Sequence, residues 1–187
     1  MLEYENWINQ MIEKIRERME WVSDKNQDKI PYTTDKDGSY DDRSDKTKEW
    51  NIDDGLNWWT NGFWAGTMWL LYQDTKDERY AEIARNSESK LEQCFNDFYG
   101  MHHDLGFMFQ PTAVANYRLT KNKESRKVAM HAANLLAGRF NPVGKFIRAW
   151  NEVGTSDTRG WAIIDCLFNL SLLYWASEES GDPRFRH

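Results

Sequence analysis

One carboxylate, Asp165, sits inside the most apolar stretch of this 187-residue chain, W-A-I-I-D-C-L-F-N-L-S-L-L-Y-W (161–175). A lone acid on a helix that is apolar all round is costly unless it is hydrogen-bonded or protonated. Burial disfavours the charged form, so this position predicts a raised pKa. A carboxyl tuned in that way donates a proton near neutral pH, which is the work of a general acid. The structural alternative is an Asp bonded to a neighbouring helix or to Asn169, one turn on. A second acid, Asp104, opens another apolar segment in M-H-H-D-L-G-F (101–107). It is either the N-cap of that helix or the partner of Asp165 in an acid/base pair. His102 and His103 invite a metal reading. Adjacent residues do not face the same way, however, and no HxxxH spacing or third histidine supports them. Neither metal nor cofactor is expected.

Ten tryptophans supply large contact areas and flat stacking faces. They serve either a tryptophan-rich core or a ring-shaped ligand such as a carbohydrate. In W-W-T-N-G-F-W-A-G (58–66), Trp58, Trp59 and Trp64 are candidates for both roles, and Gly62 and Gly66 allow close helix approach. In I-R-A-W-N-E (147–152), Trp150 precedes a polar loop and suits a pocket wall. Arg148 beside it reads as a solvated arginine rather than an anion partner.

These residues need elements to hold them. Apolar residues at i, i+3, i+4 and i+7 recur along the chain, so it reads as all-α. Amphipathic helices are predicted over 2–22, 77–98 and 123–139. Helices apolar nearly all round, and so buried on every side, are predicted over 57–75, 104–119 and 160–179. Pro111 kinks the second of these. A further helix starts at Asp182-Pro183, an N-cap followed by proline. Residues 24–55 form a long polar loop within a single domain over 1–187. Asp35, Asp37 and Gly38 there lack the spacing of a calcium loop, and the segment reads as solvated.

A weak repeat links the helices. L-Y-Q-D-T-K-D-E-R-Y (71–80), N-Y-R-L-T-K-N-K-E-S (116–125) and L-Y-W-A-S-E-E-S-G-D-P-R-F (173–185) each end a buried helix on Tyr and start an outer one. Tyr72, Tyr117 and Tyr174 lie 45 and 57 residues apart. That period signals an array of helical hairpins. Strict inner/outer alternation points to a closed α/α toroid, whose site lies at one end of the inner helices.

The net charge of −6 argues against a general nucleic-acid surface. M-L-E-Y-E-N-W-I-N-Q carries no signal peptide, and no apolar run spans a bilayer. Cys94 and Cys166 form no CxxC pair and read as free thiols in a reducing compartment, the cytoplasm by default.

At these residues the chain resembles the unsaturated glucuronyl hydrolases, glycoside hydrolase family 88. The stretches W-T-N-G-F-W (59–64), H-H-D-L-G-F (102–107), R-A-W (148–150), I-I-D-C-L-F-N-L (163–170) and S-G-D-P-R-F (180–185) fall in the family's order and spacing. The resemblance implies an (α/α)6 barrel, of which this chain is the N-terminal half with about three hairpins. It implies removal of the 4,5-unsaturated uronic acid that polysaccharide lyases leave on oligosaccharides such as those of glycosaminoglycans. Asp165 would be the general acid/base and Asp104 its essential partner. By position, Trp59 and Trp150 match tryptophans lining the sugar site, and His103 sits beside the catalytic acid. Asn61 stands where many members have Asp. Family members are about twice as long, so a truncated chain is expected to be inactive alone and to self-associate through its open apolar faces. The alternatives are an unsaturated rhamnogalacturonyl hydrolase and a non-catalytic helical-repeat binding module.

Overall fold

Three turns of one chemistry divide the chain into helical hairpins. The computed structural model describes residues 2–34, 36–48, 55–96, 100–151 and 155–186. Helix α2 (Asn61–Thr75) closes on Lys76 at φ 62°, whose N–H donates to the Tyr72 carbonyl; Asp77 then accepts from Arg79 N and starts α3 (Glu78–Leu91). Further along, α5 (Ala115–Thr120) closes on Lys121 at φ 61° and the Tyr117 carbonyl. Asn122 follows, accepts from Glu124 N and Ser125 N, and starts α6 (Lys123–Ala137). Helix α7 (Cys166–Ser180) closes on Gly181 at φ 72°, and Asp182 accepts from Arg184 N to start a 3-10 turn (Pro183–Phe185). The repeat seen in the sequence is therefore a left-handed C-cap followed at once by an Asx N-cap. Lys76 and Lys121 also lay their ammonium groups over Tyr72 and Tyr117, the tyrosines that mark the repeat.

The apolar segments form an inner row and the amphipathic helices back them. α4 (Leu105–Phe109) packs on α6 and α7, while α2 packs on α3 and on the segment after α4. That segment, Gln110–Val114, is a π-turn leading into α5. Pro111 has no N–H to continue the α ladder, so the expected kink takes the form of a π-bulge. Thr112 Oγ1 donates to the Met108 carbonyl within it at 2.7 Å. The long α1 (Leu2–Lys25) is tied to the end of α2 by Arg16, whose Nε donates to Asp74 at 2.7 Å. The main core gathers Leu105, Met108, Phe109, Leu136, Leu172 and their neighbours; a second cluster joins Met68, Trp69 and Leu71 of α2 to Tyr80 and Ile83 of α3.

Several expectations need correction. The apolar helices are not buried on every side: Phe63 and Leu70 of α2, and Leu167, Phe168 and Tyr174 of α7, are exposed. The segment around α4 does meet neighbours on several sides, with Leu105, Gly106, Met108 and Phe109 all buried, whereas α2 and α7 each leave a face exposed. The helices expected from 57 and 160 begin at Asn61 and Cys166. Among the described tryptophans only Trp69 and Trp175 are core, so the tryptophan-rich core is a small part of the answer. The polar segment after α1 is more than a solvated loop. Ile30 is fully buried, Thr34 bridges Tyr40, and Asp42 accepts from Ile30 N and from Ser44. Asp37 spends its carboxylate on Ser39, and Asp35 lies outside the described residues. An antiparallel hairpin, β1 (Phe140–Asn141) with β2 (Phe146–Ile147), was not expected; its strands are too short to show alternation. No described helix is long and apolar enough to cross a membrane.

A buried polar cluster fastens α3, α5 and α6 at the end where α5 meets α6. Asn116 Nδ2 donates to Glu88 Oε2 at 2.8 Å and to Ser125 Oγ at 2.7 Å. Burial pushes the Glu88 pKa up, and the bonds from Ser125 and Asn116 offset only part of that. A raised native pKa contributes stability at low pH that is lost as pH rises through it. Glu88→Gln is therefore expected to gain melting temperature relative to the parent between pH 4 and pH 8. A constant difference across thermal melts in that range would refute the assignment.

Candidate active site

The site is built where α4 crosses α7. Gly106 makes the crossing possible: a Cβ there would lie 2.3 Å from Asn169 Cα. Gly62 plays the same part for α2, since a Cβ would sit 2.5 Å from the Met108 and Phe107 carbonyls. With the helices this close, the fully buried Asn169 reaches across. Its Oδ1 accepts from Phe107 N at 2.8 Å and its Nδ2 donates to Asp104 Oδ1 at 3.3 Å. Asn169 thus serves Asp104 and the N-terminal turn of α4, not Asp165.

Asp104 occupies the N-cap position of α4, yet its carboxylate caps no N–H of that helix. It turns instead to the two histidines before it. Asp104 Oδ2 lies 2.8 Å from His102 Nδ1, and Oδ1 lies 3.4 Å from His103 Nε2. Burial alone would raise the Asp104 pKa. The hydrogen bond and charge of His102, the charge of His103 and the Asn169 bond outweigh it, so this carboxyl titrates below its ordinary range. His103 is 0% exposed. Burial lowers its pKa against the opposing pull of Asp104 and Asp165, which keeps the ring neutral at neutral pH. Neither ring nitrogen makes a hydrogen bond among the described residues.

Asp165 departs from its expected place. It is not in mid-helix but at the N-cap position of α7, and its side chain is 49% exposed. The deep burial inferred from the apolar run is absent, because residues 161–163 are irregular, 164–165 are turn, and the helix starts only at Cys166. Its carboxylate accepts no hydrogen bond from the described residues; Oδ1 lies 3.7 Å from His103 Nε2. His103 Nε2 and one oxygen each of Asp104 and Asp165 lie within 4.8 Å of one another. That trio has the donor chemistry to ligate a divalent ion.

Two part-exposed tryptophans stand on segments tied to those that carry this cluster. Trp59, 37% exposed, packs edge-on against Phe107 at 5.3 Å, and Phe107 stacks on Phe168 of α7 at 4.4 Å. Asn61 pins the loop that carries Trp59 by donating to the Gly55 and Leu56 carbonyls at 3.0 and 2.9 Å, which an Asp could not do. Trp150, also 37% exposed, tilts against Trp161 at 5.7 Å. It follows Ala149, whose carbonyl takes the His103 N–H at 3.0 Å. Arg148 is part-buried and donates to Thr158 Oγ1 at 3.0 Å, so it is not the solvated arginine expected. His102 and Asn169 are the contributors that sequence reasoning left out of the site. A buried amide four residues after Asp165 on an apolar helix was the available signal. Gly106→Ala is expected to cost ~3 kcal/mol in urea unfolding, because the Cβ meets backbone that cannot yield. A loss within ~0.5 kcal/mol, the scatter of ordinary surface changes, would show that the crossing is not held this tightly.

No family model matches the chain. It is 38% identical over 144 residues to the unsaturated glucuronyl hydrolase of Bacillus sp. (strain GL1), an alignment covering 76% of this chain and 38% of that protein. It is 43% identical over 129 residues to the unsaturated chondroitin disaccharide hydrolase of Streptococcus pyogenes serotype M1, covering 68% and 32%. Among solved structures, the Bacillus sp. GL1 unsaturated glucuronyl hydrolase superposes with TM-score 0.69 at 34% identity, over 85% of this chain and 40% of that one. A Streptococcus agalactiae unsaturated glucuronyl hydrolase variant complexed with dGlcA-GalNAc6S gives TM-score 0.69 at 26% identity, over 96% and 39%. These neighbours fold as (α/α)6 barrels, and the helical hairpins described above are part of that ring. By sequence and by fold, the chain belongs to the unsaturated glucuronyl hydrolase family, of whose members it spans about two fifths.

Proposed function

We propose that this chain carries the acid/base centre of a glycoside hydrolase of family 88, which hydrates the C4=C5 bond of an unsaturated uronic acid at the end of a lyase-generated oligosaccharide. The observation that carries the reading is the convergence of Asp104, His103 and Asp165 within 4.8 Å at one crossing of inner helices. A non-catalytic binding module has no need of such a cluster.

The division of labour follows from the surroundings of each acid. Asp104, buried and bonded to His102 and Asn169, is the fixed anion. Asp165, half-exposed and with no hydrogen bond to its carboxylate from the described residues, is the one placed to exchange protons with substrate and water. In this reading Asp165 gives its proton to C4. The positive charge that develops at C5 is shared with the ring oxygen and faces the Asp104 carboxylate. Water adds to C5 and returns a proton to Asp165. The hemiketal then opens and releases the rest of the saccharide. His103, neutral and without a bond of its own, fills the space between the two carboxylates. Trp59 and Trp150 offer ring faces for the sugar. A uronic acid from glycosaminoglycan is the substrate class that the relatives' names support.

Such chemistry needs no metal. In a chimera joining this chain to the remainder of the Bacillus relative, an unsaturated disaccharide is expected to lose its C4=C5 absorbance, unaffected by a chelator. Asp165→Asn is expected to slow that loss about 10³-fold, the scale of a general acid. An Asp165→Asn chimera as fast as its parent, or one stopped by chelation, would sink the proposal.

The isolated chain is proposed to turn over little, since Asp165 is open to water. It is also proposed to be cytoplasmic, as its two free cysteines, Cys94 and Cys166, suit a reducing compartment. Leu70, Ile164, Leu167 and Tyr174 are exposed on and beside the inner helices, and these faces are proposed to drive self-association. Multi-angle light scattering is expected to report a dimer or larger at micromolar chain concentration; a monomer would contradict this.

A further inference from the structure

Arg139 follows α6 directly and lies behind the cluster just described. Its guanidinium is part-buried, and every hydrogen bond it makes to a described residue goes to a neutral oxygen. Nε donates to the Arg148 carbonyl at 2.8 Å, and Nη2 donates to the Ala149 carbonyl at 3.1 Å. Nη1 donates to the Met101 carbonyl at 3.1 Å and to Asn151 Oδ1 at 2.9 Å. Asn151 Nδ2 closes the loop by donating to the same Met101 carbonyl at 2.8 Å. Burial first, then the neighbouring Arg148 charge, lowers the Arg139 pKa to about 10, still well above neutrality. A part-buried cation with no carboxylate partner among the described residues carries a desolvation cost that its four neutral acceptors must offset.

The carbonyls it holds belong to the two segments that carry site residues. Met101 stands just before His102, His103 and Asp104. Ala149 precedes Trp150 and receives the His103 N–H. Resting on the reading of these residues as a sugar site, we propose that Arg139 is a positioning residue: its fork clamps the His103 segment to the Trp150 segment. A lysine keeps the charge and cannot span four acceptors. A glutamine keeps neither.

The test follows amide exchange at His103 and Ala149 in the chain itself. Both amides bridge segments, the first to the Ala149 carbonyl and the second to the Trp161 carbonyl at 2.9 Å. Arg139→Lys is expected to speed exchange at both amides at least ~10-fold, as a lost clamp should. Arg139→Gln is expected to do the same. Unchanged exchange in Arg139→Lys would overturn the clamp, even if Arg139→Gln failed to fold. The functional arm uses the chimera with the remainder of the Bacillus relative, since the chain alone spans about two fifths of that protein. There Arg139→Lys is expected to raise KM for an unsaturated chondroitin disaccharide about 10-fold with kcat less affected, and an unchanged KM would overturn the positioning role. If the parent chimera leaves the disaccharide intact while exchange moves as expected, the sugar-site reading fails and the clamp stands.

Discussion

The closest constraint in this molecule is a missing side chain. Gly106 lets α4 lie against the backbone of α7 at a distance no Cβ would permit. Everything about the acid centre follows from that contact. It brings Asn169 within reach of Phe107 N and Asp104, and it sets the start of α7, with Asp165, beside the start of α4. Two residues 61 positions apart in the chain become neighbours because two helices share one row of backbone. Asn169 is part of the same constraint. A buried amide must be satisfied, and the only geometry that satisfies it holds Phe107 N and Asp104 together.

Electrostatics then differentiates the three groups at the crossing. The most buried carboxylate is the one with the most donors, so Asp104 is stabilised as an anion despite desolvation. His103 is more deeply buried still, and its ring has no hydrogen-bond partner among the described residues, so burial keeps it neutral. Asp165 has water on one side and His103 on the other. A buried, bonded carboxylate, a neutral imidazole and a half-exposed carboxylate thus share one crossing, set apart by exposure and bonding.

Much of this was legible in the sequence, and the failures share a cause. Periodicity gave the order of helices, and the Tyr-to-Asx punctuation gave the hairpins, because caps and turns are local chemistry. The resemblance pointed to Asp104, Asp165, His103, Trp59 and Trp150, of which the structure brings His103 and the two acids together, and it gave the family. What periodicity could not show was which side of an apolar helix meets a neighbour, so α2 and α7 were expected to be buried all round. The same blindness placed Asp165 inside a helix that begins one residue later. Asn169 was noticed, but its partner was misjudged, since local spacing favours Asp165 and only the α4–α7 crossing reveals Asp104. The short β1–β2 hairpin carries too few residues to leave a pattern.

The π-turn at Gln110–Val114 sets the rotational phase of the inner helix. One residue more than an α ladder requires turns everything downstream by about 100° about the helix axis. Leu105 and Met108 before the bulge pack into the main core, and Asn116 after it meets Glu88 and Ser125. An uninterrupted α-helix would aim Asn116 about a quarter-turn away from both. The bulge therefore works as a gear between the two ends of one element. It lets the acid centre at one end and the polar fastening at the other each keep its own angular setting, so that sequence can drift at either end without retuning the other.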